Sequence, residues 1–167
     1  YMTGTPGSAT SSISVAAEDA TPSFDGVSLA LGNLAGTVQA IRANDVAANG
    51  LVAPVKVLYS GLPHDAAHIS LGCDPNEYTA ANVTGAIVVV KRGTCARVAR
   101  AIFGQQAGAV AVVMVNNVDA LPPAEGKITS NPDDGTPYDV TIPFLGVKLS
   151  SAGALVTADG ASATATD

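Results

Sequence analysis

Tryptophan is absent, and three Phe with four Tyr are the whole aromatic content of the 167 residues, so large aromatic anchors for a partner are scarce. Charge is thin as well: 13% of residues are charged, about half the usual share of roughly 25%. The eight bases are outnumbered by fourteen acids, for a net charge of −6. A field of that sign repels phosphate backbones and anionic lipid, which argues against nucleic-acid and membrane-surface partners. No apolar run approaches the ~20 residues needed to span a bilayer. The opening residues Tyr1-Met2-Thr3-Gly4 lack the basic and apolar regions of a signal peptide, so the expectation is a soluble piece that starts inside a longer protein. Histidine is limited to His64 and His68, and no Gly-Thr-Ser triplet or nucleophile elbow accompanies them, so a self-contained Ser-His-Asp hydrolase is not expected.

Apolar residues make up 47% of the chain, mostly Ala and Val, which suits a small-residue core of closely packed strands. The length fits one domain with tails. Short β-prone runs at 27–31, 37–41 and 55–59 are separated by Gly, Asn and Pro, the pattern of strands joined by tight turns. The clearest segment is 85–117. An apolar run, Ala86 to Val90, precedes a polar turn, a helical stretch from Cys95 to Gln106 with Thr94 placed as its cap, a stop at Gly108, and a second apolar run from Ala109 to Val115. Such a strand, helix, strand unit predicts two parallel neighbours. Residues 121–139 carry four prolines, two glycines and the acids Glu125, Asp133, Asp134 and Asp139, and read as a long exposed loop. A short strand from Ile142 to Val147, with Pro143 at its edge or start, and a helix from Ser150 to Val156 follow. Residues 158–167 are small and polar, a linker or a strand that pairs only in context.

Candidate chemistry is sparse. Cys73 and Cys95, with twenty-one residues between them, each stand beside a Gly-containing turn. A bridge would add about 3 kcal/mol and imply an oxidising compartment; two buried free thiols are the alternative. His64-Asp65-Ala66-Ala67-His68 would align two imidazoles on a helix, but Asp replaces the Glu that the zinc-protease motif requires, and Pro63 and Ser70 indicate a loop, so no metal is expected there. Asn131, Asp133, Asp134 and Asp139 lack the spacing of a helix-loop-helix calcium loop and read as turn formers. Asn82-Val83-Thr84 is formally a glycosylation sequon. Arg92, Asn116 and Asn117 fall at the ends of the predicted parallel strands, where binding loops often sit.

The order Gly85-Ala-Ile-Val-Val-Val-Lys-Arg-Gly-Thr-Cys95, then Ala107-Gly108-Ala109, then Val112 to Asn117, then Ile142-Pro143, resembles the protease-associated domain family. Residues 4–19 resemble, more briefly, a strand of subtilisin-like proteases that precedes the catalytic serine. The resemblance implies an α+β domain with a β-barrel or sandwich core of short strands, the strand-helix-strand unit and two peripheral helices. It divides the chain into a flanking segment (1–22), the domain (23–157) and a tail or linker (158–167). It also implies a non-catalytic module of a secreted, extracellular subtilisin-like serine peptidase, inserted into that enzyme, so that the strand around Ile13 and the tail end on the same side. Its partners would be the parent catalytic domain and a polypeptide substrate, with no cofactor. Arg92, Asn116, Asn117, Asp133 and Asp134 would be the peptide-binding candidates, with 121–139 the contacting loop, and Cys73–Cys95 the disulfide. The alternative is a structural or dimerisation module that never touches substrate.

Overall fold

A computed structural model of the chain describes residues 25–32 and 34–167. Seven strands, β1 (Gly26–Leu31), β2 (Thr37–Arg42), β3 (Leu51–Val57), β4 (Ile87–Lys91), β5 (Ala111–Val115), β6 (Phe144–Val147) and β7 (Ser162–Thr166), close into a barrel. Around the barrel the order is β1-β2-β6-β5-β4-β3-β7. The helices are α1 (Pro75–Ala80), α2 (Arg97–Gln106) and α3 (Ala152–Thr157), the last preceded by a 3₁₀ turn at Leu149–Ser151. The expected barrel-or-sandwich core is thus a barrel, and the expected pair of helices is three among the described residues. None of the described helices is long and apolar enough to cross a membrane.

β3, β4, β5 and β6 run parallel to one another, whereas β2, β1 and β7 complete the ring by antiparallel pairing. Parallel strands buried on both faces read as continuous apolar runs, which is the pattern of Ile-Val-Val-Val and Ala-Val-Val-Met-Val. With side chains alternating, Ile87, Val89, Ala111, Val113 and Val115 point into the barrel, where they meet Leu29, Val55, Leu145 and Leu155. Val88, Val90, Val112 and Met114 point outward, under Tyr78 of α1 and Val98, Ala101 and Ile102 of α2. Gly104 lets α2 lie close to the sheet: a Cβ there would stand 2.4 Å from Val112 Cγ2.

One expectation is corrected. The segment 158–167 is not a tail or linker but contains β7, inserted between β1 and β3 with Ala163 and Ala165 buried. Its small side chains are what the crowded barrel interior accepts, which is why it looked featureless as a sequence. The segment 121–139 is the long, mostly exposed loop expected, anchored at buried Pro122, Ile128 and Asn131, with Ile128 and Val140 just beyond it packing with Phe144 over the outer core. The strand near Ile13 and the whole 1–22 segment lie outside the described residues. Asp25 and Asp167 meet at one guanidinium, Arg42, which pairs with Asp25 and reaches Asp167 Oδ1 at 3.3 Å.

Candidate functional site

Four parallel strands send their connections out at one end. In open parallel sheets, ligands gather outside the carboxyl ends of strands because loops and unpaired backbone groups converge there. Here that end carries the turn 58–70 after β3, the turn 92–96 after β4 and the turn 116–121 after β5.

Arg92 and Asn116, expected at the ends of the parallel strands, meet there. The Arg92 backbone N–H donates to Val115 O at 2.8 Å, extending the β4–β5 ladder, and its Nη1 donates to Asn116 Oδ1 at 3.1 Å. Asn116 is buried, and the same oxygen accepts the Asn117 N–H at 3.0 Å while Nδ2 donates to Ala120 O at 2.7 Å. Asn116 is therefore a joint that fixes the turn, and Arg92, half-buried, with exposed Asn117 is what the face presents. Asp133 and Asp134 do something else. Asp133 receives the Ala96 N–H at 2.9 Å on one carboxylate oxygen and 3.2 Å on the other, placing negative charge at the amino end of α2, and Asp134 closes a turn by accepting Thr136 N–H at 2.8 Å. Hydrogen bonding to Thr136 holds the Asp134 carboxyl below its ordinary range. The helix starts at Arg97 with Ala96 as its cap residue, so the capping expected of Thr94 is done by an aspartate 37 residues away. Nothing in the sequence around residue 94 signals it. The loop follows α2 along its length: Glu125 pairs with Arg97 near one end, and Gln105 near the other donates to Asp139 O at 3.1 Å and accepts Thr141 N–H at 2.7 Å.

Between this loop and the turn after β4 lies a recess of about 330 Å³ lined by Arg92, Gly93, Cys95, Ala96, Arg97 and Glu125, among others. The Cys73–Cys95 disulfide is formed beside it. Exposed apolar residues accompany it on the same end: Leu62 at 80%, Val118 at 53% and Leu121 at 37%. A second recess of about 480 Å³ opens between β3 and α1, with Lys56, Tyr59, His64, Glu77 and Asp159 in its wall. There the Tyr59 and His64 rings stack at 4.2 Å, and burial, followed by the charge of Asp159, pushes the Tyr59 phenol up to about 12. His68 Nδ1 lies 2.7 Å from Asp65 Oδ1, so the two histidines have separate partners and do not share a ligand position. Among the described residues no three His, Cys, Asp or Glu side chains cluster as a metal site.

A family description, the PA domain, matches residues 55–155, more than half of the chain. The chain belongs to the PA domain family. Over 81 residues the chain is 35% identical to a probable lipoprotein aminopeptidase, LpqL, of Mycobacterium tuberculosis, covering 48% of this chain and 15% of that protein. Among solved structures, a zinc aminopeptidase from Bacillus subtilis superposes on 86% of the chain with a TM-score of 0.59 at 23% identity. An aminopeptidase from Aneurinibacillus sp. strain AM-1 superposes on 87% with a TM-score of 0.57 at 17% identity. At those identities the likeness establishes the fold. This PA domain spans 30% of each of the two structures, well under two thirds of these relatives. They are aminopeptidases, so the subtilisin-like parent expected from residues 4–19 is unsupported, and those residues lie outside the described ones.

Proposed function

We propose that this PA domain is a non-catalytic module of a peptidase of the aminopeptidase kind, engaging polypeptide substrate and shaping its access to a neighbouring catalytic domain. The observation that carries the reading is the recess at the carboxyl ends of the parallel strands. It offers a held guanidinium at Arg92 and the backbone at Gly93, and the exposed apolar Val118 and Leu121 stand on the neighbouring turn that Asn116 ties to Arg92. Hydrogen-bonding groups beside isolated apolar contacts suit an extended peptide, and binding remote from the scissile bond can be used to orient it. The disulfide supports an extracellular module.

Calorimetric titration of the chain with gelatin and casein peptides, run beside a cleavage assay on the same material, tests this. Saturable binding without cleavage is expected, and Arg92→Ala should weaken it several-fold. Binding indifferent to Arg92→Ala would refute the site, and cleavage would refute the non-catalytic role. Absence of binding, with self-association in sedimentation, would transfer the domain to assembly.

A further inference from the structure

Arg100, on the inner face of α2, is completely buried and belongs to none of the ion pairs among the described residues. Its guanidinium is held by backbone oxygens: Nε donates to Lys91 O at 3.1 Å, and Nη1 donates to Ala96 O at 3.0 Å and Cys95 O at 3.3 Å. The remaining nitrogen, Nη2, donates to the Cys73 sulfur at 3.6 Å. That sulfur also receives the Cys95 backbone N–H at 3.4 Å and has Thr94 Oγ1 at 3.8 Å. Every N–H donor that reaches the disulfide among the described residues is thus aimed at Cys73, not at Cys95. Cys95, and not Cys73, is among the residues that line the 330 Å³ recess, and both cysteines are half-buried.

We propose that the Cys73–Cys95 disulfide is a thiol-exchange site, at which a small thiol entering the recess becomes joined to Cys95 while Cys73 leaves as a thiolate held by Arg100. The incoming thiol first loses its proton to solvent. Its thiolate attacks Cys95 Sγ, a new sulfur–sulfur bond forms there, and the Cys73–Cys95 bond breaks with its electron pair remaining on Cys73. The incoming sulfur is oxidised and Cys73 is reduced, so no other oxidant is needed. A buried cation stabilises the departing thiolate, and the thiol that makes the more stable thiolate leaves faster. The other charged or titratable groups felt at Arg100 are Tyr78, Asp133, Arg92 and Arg97, and Asp74 is the chain neighbour of Cys73. Burial lowers the pKa of Arg100, yet a guanidinium stays protonated throughout the working range. The site shares the recess of the peptide-binding proposal, but exchange chemistry can be present whether or not polypeptide binds.

The test incubates the folded chain with reduced glutathione near pH 8, quenches with acid, and maps the adduct by peptide mass spectrometry. The adduct is expected on Cys95 over Cys73 by about tenfold. Arg100→Lys should keep that preference, and Arg100→Gln should bring it near unity. A second measurement needs no change at Arg100: in Cys95→Ser the alkylation midpoint of Cys73 should lie at least one pH unit below that of Cys95 in Cys73→Ser. Equal adducts, an adduct mainly on Cys73, no adduct on the folded chain while the unfolded chain reacts, or coincident alkylation midpoints would each overturn the assignment.

Discussion

Tyr78→Phe removes one oxygen from a fully buried side chain, and its effect can be worked out from two independent directions. The Tyr78 ring has no exposure, packs edge-on to Phe103 with centroids 6.2 Å apart, and donates its hydroxyl to Gly72 O at 3.0 Å. Phenylalanine preserves the ring contacts but strands the Gly72 carbonyl under it. A buried acceptor left without its donor costs about 1–3 kcal/mol. For a chain of this length that is a fall in Tm of roughly 4–8 °C for a ~2 kcal/mol loss, read by thermal unfolding at pH 7. The second direction is alkaline pH. Burial, opposed by Arg100 and reinforced by Glu77, raises the Tyr78 phenol far above its ordinary value near 10. Unfolded chains therefore release this proton near pH 10 while the folded chain keeps it. Stability is fully present below pH 10 and declines as pH rises above it, by up to ~1.4 kcal/mol per pH unit for one proton. Tyr78→Phe abolishes that contribution and leaves the smaller one of Tyr59. Urea midpoints between pH 9 and 11 should fall less steeply in the variant. An unchanged Tm together with an unchanged alkaline slope would show that the hydroxyl is not anchoring Gly72.

Gly104→Ala places a methyl group 2.4 Å from Val112 Cγ2, and overpacking of this kind should destabilise by about 1–3 kcal/mol in a denaturant titration. Ile128→Ala should destabilise by roughly 2–4 kcal/mol, the response of a core position and not of an exposed loop, again by denaturant titration. A chain ending at residue 157 should lack cooperative unfolding by circular dichroism, because β1 and β3 lose their shared neighbour and the barrel stands open.

The parallel unit was legible because its strands are apolar on both faces and its helix has a glycine stop. The two runs around 87–90 and 111–115 could hardly be anything but buried strands in a sheet that a helix covers. What escaped was carried by small residues or by long-range partners. α1 had a local signature in Asp74-Pro75-Asn76-Glu77, an N-cap aspartate that accepts Asn76 N–H at 2.9 Å with proline at the first helical position, but six residues offer too little periodicity to stand out. β7 has only alanine to bury, and its identity as a strand comes from the vacancy between β1 and β3, which no local pattern encodes. The same holds at the site. Arg92 and Asn116 could be placed at strand ends from the apolar runs before them, whereas Asp133 as the cap of α2 and Arg100 as the support of the disulfide depend on contacts made only after the chain has folded.

Those long-range contacts share one consequence. The turn from Arg92 to Ala96 has few apolar contacts of its own, yet it is fastened at Arg92 by Asn116, at Cys95 by Cys73, at Cys95 and Ala96 by the Arg100 guanidinium, and at Ala96 by Asp133. Three of these four fasteners are polar groups supplied from beyond the turn by β5's end, the 121–139 loop and the interior of α2. A binding turn held this way keeps its shape through the rigidity of its neighbours, so a peptide that meets it loses little to ordering it. The disulfide is the one covalent tie among them. Opening it by thiol exchange would release the link from Cys95 to the α1 side of the barrel while leaving the Asn116, Arg100 and Asp133 hydrogen bonds to maintain the turn. The peptide-binding affinity of a Cys73→Ser, Cys95→Ser chain should accordingly fall by no more than a few-fold, whereas Arg100→Gln, which withdraws donors from three carbonyls at once, should weaken it more; the reverse order would mean that the covalent tie, and not the buried guanidinium, shapes the face.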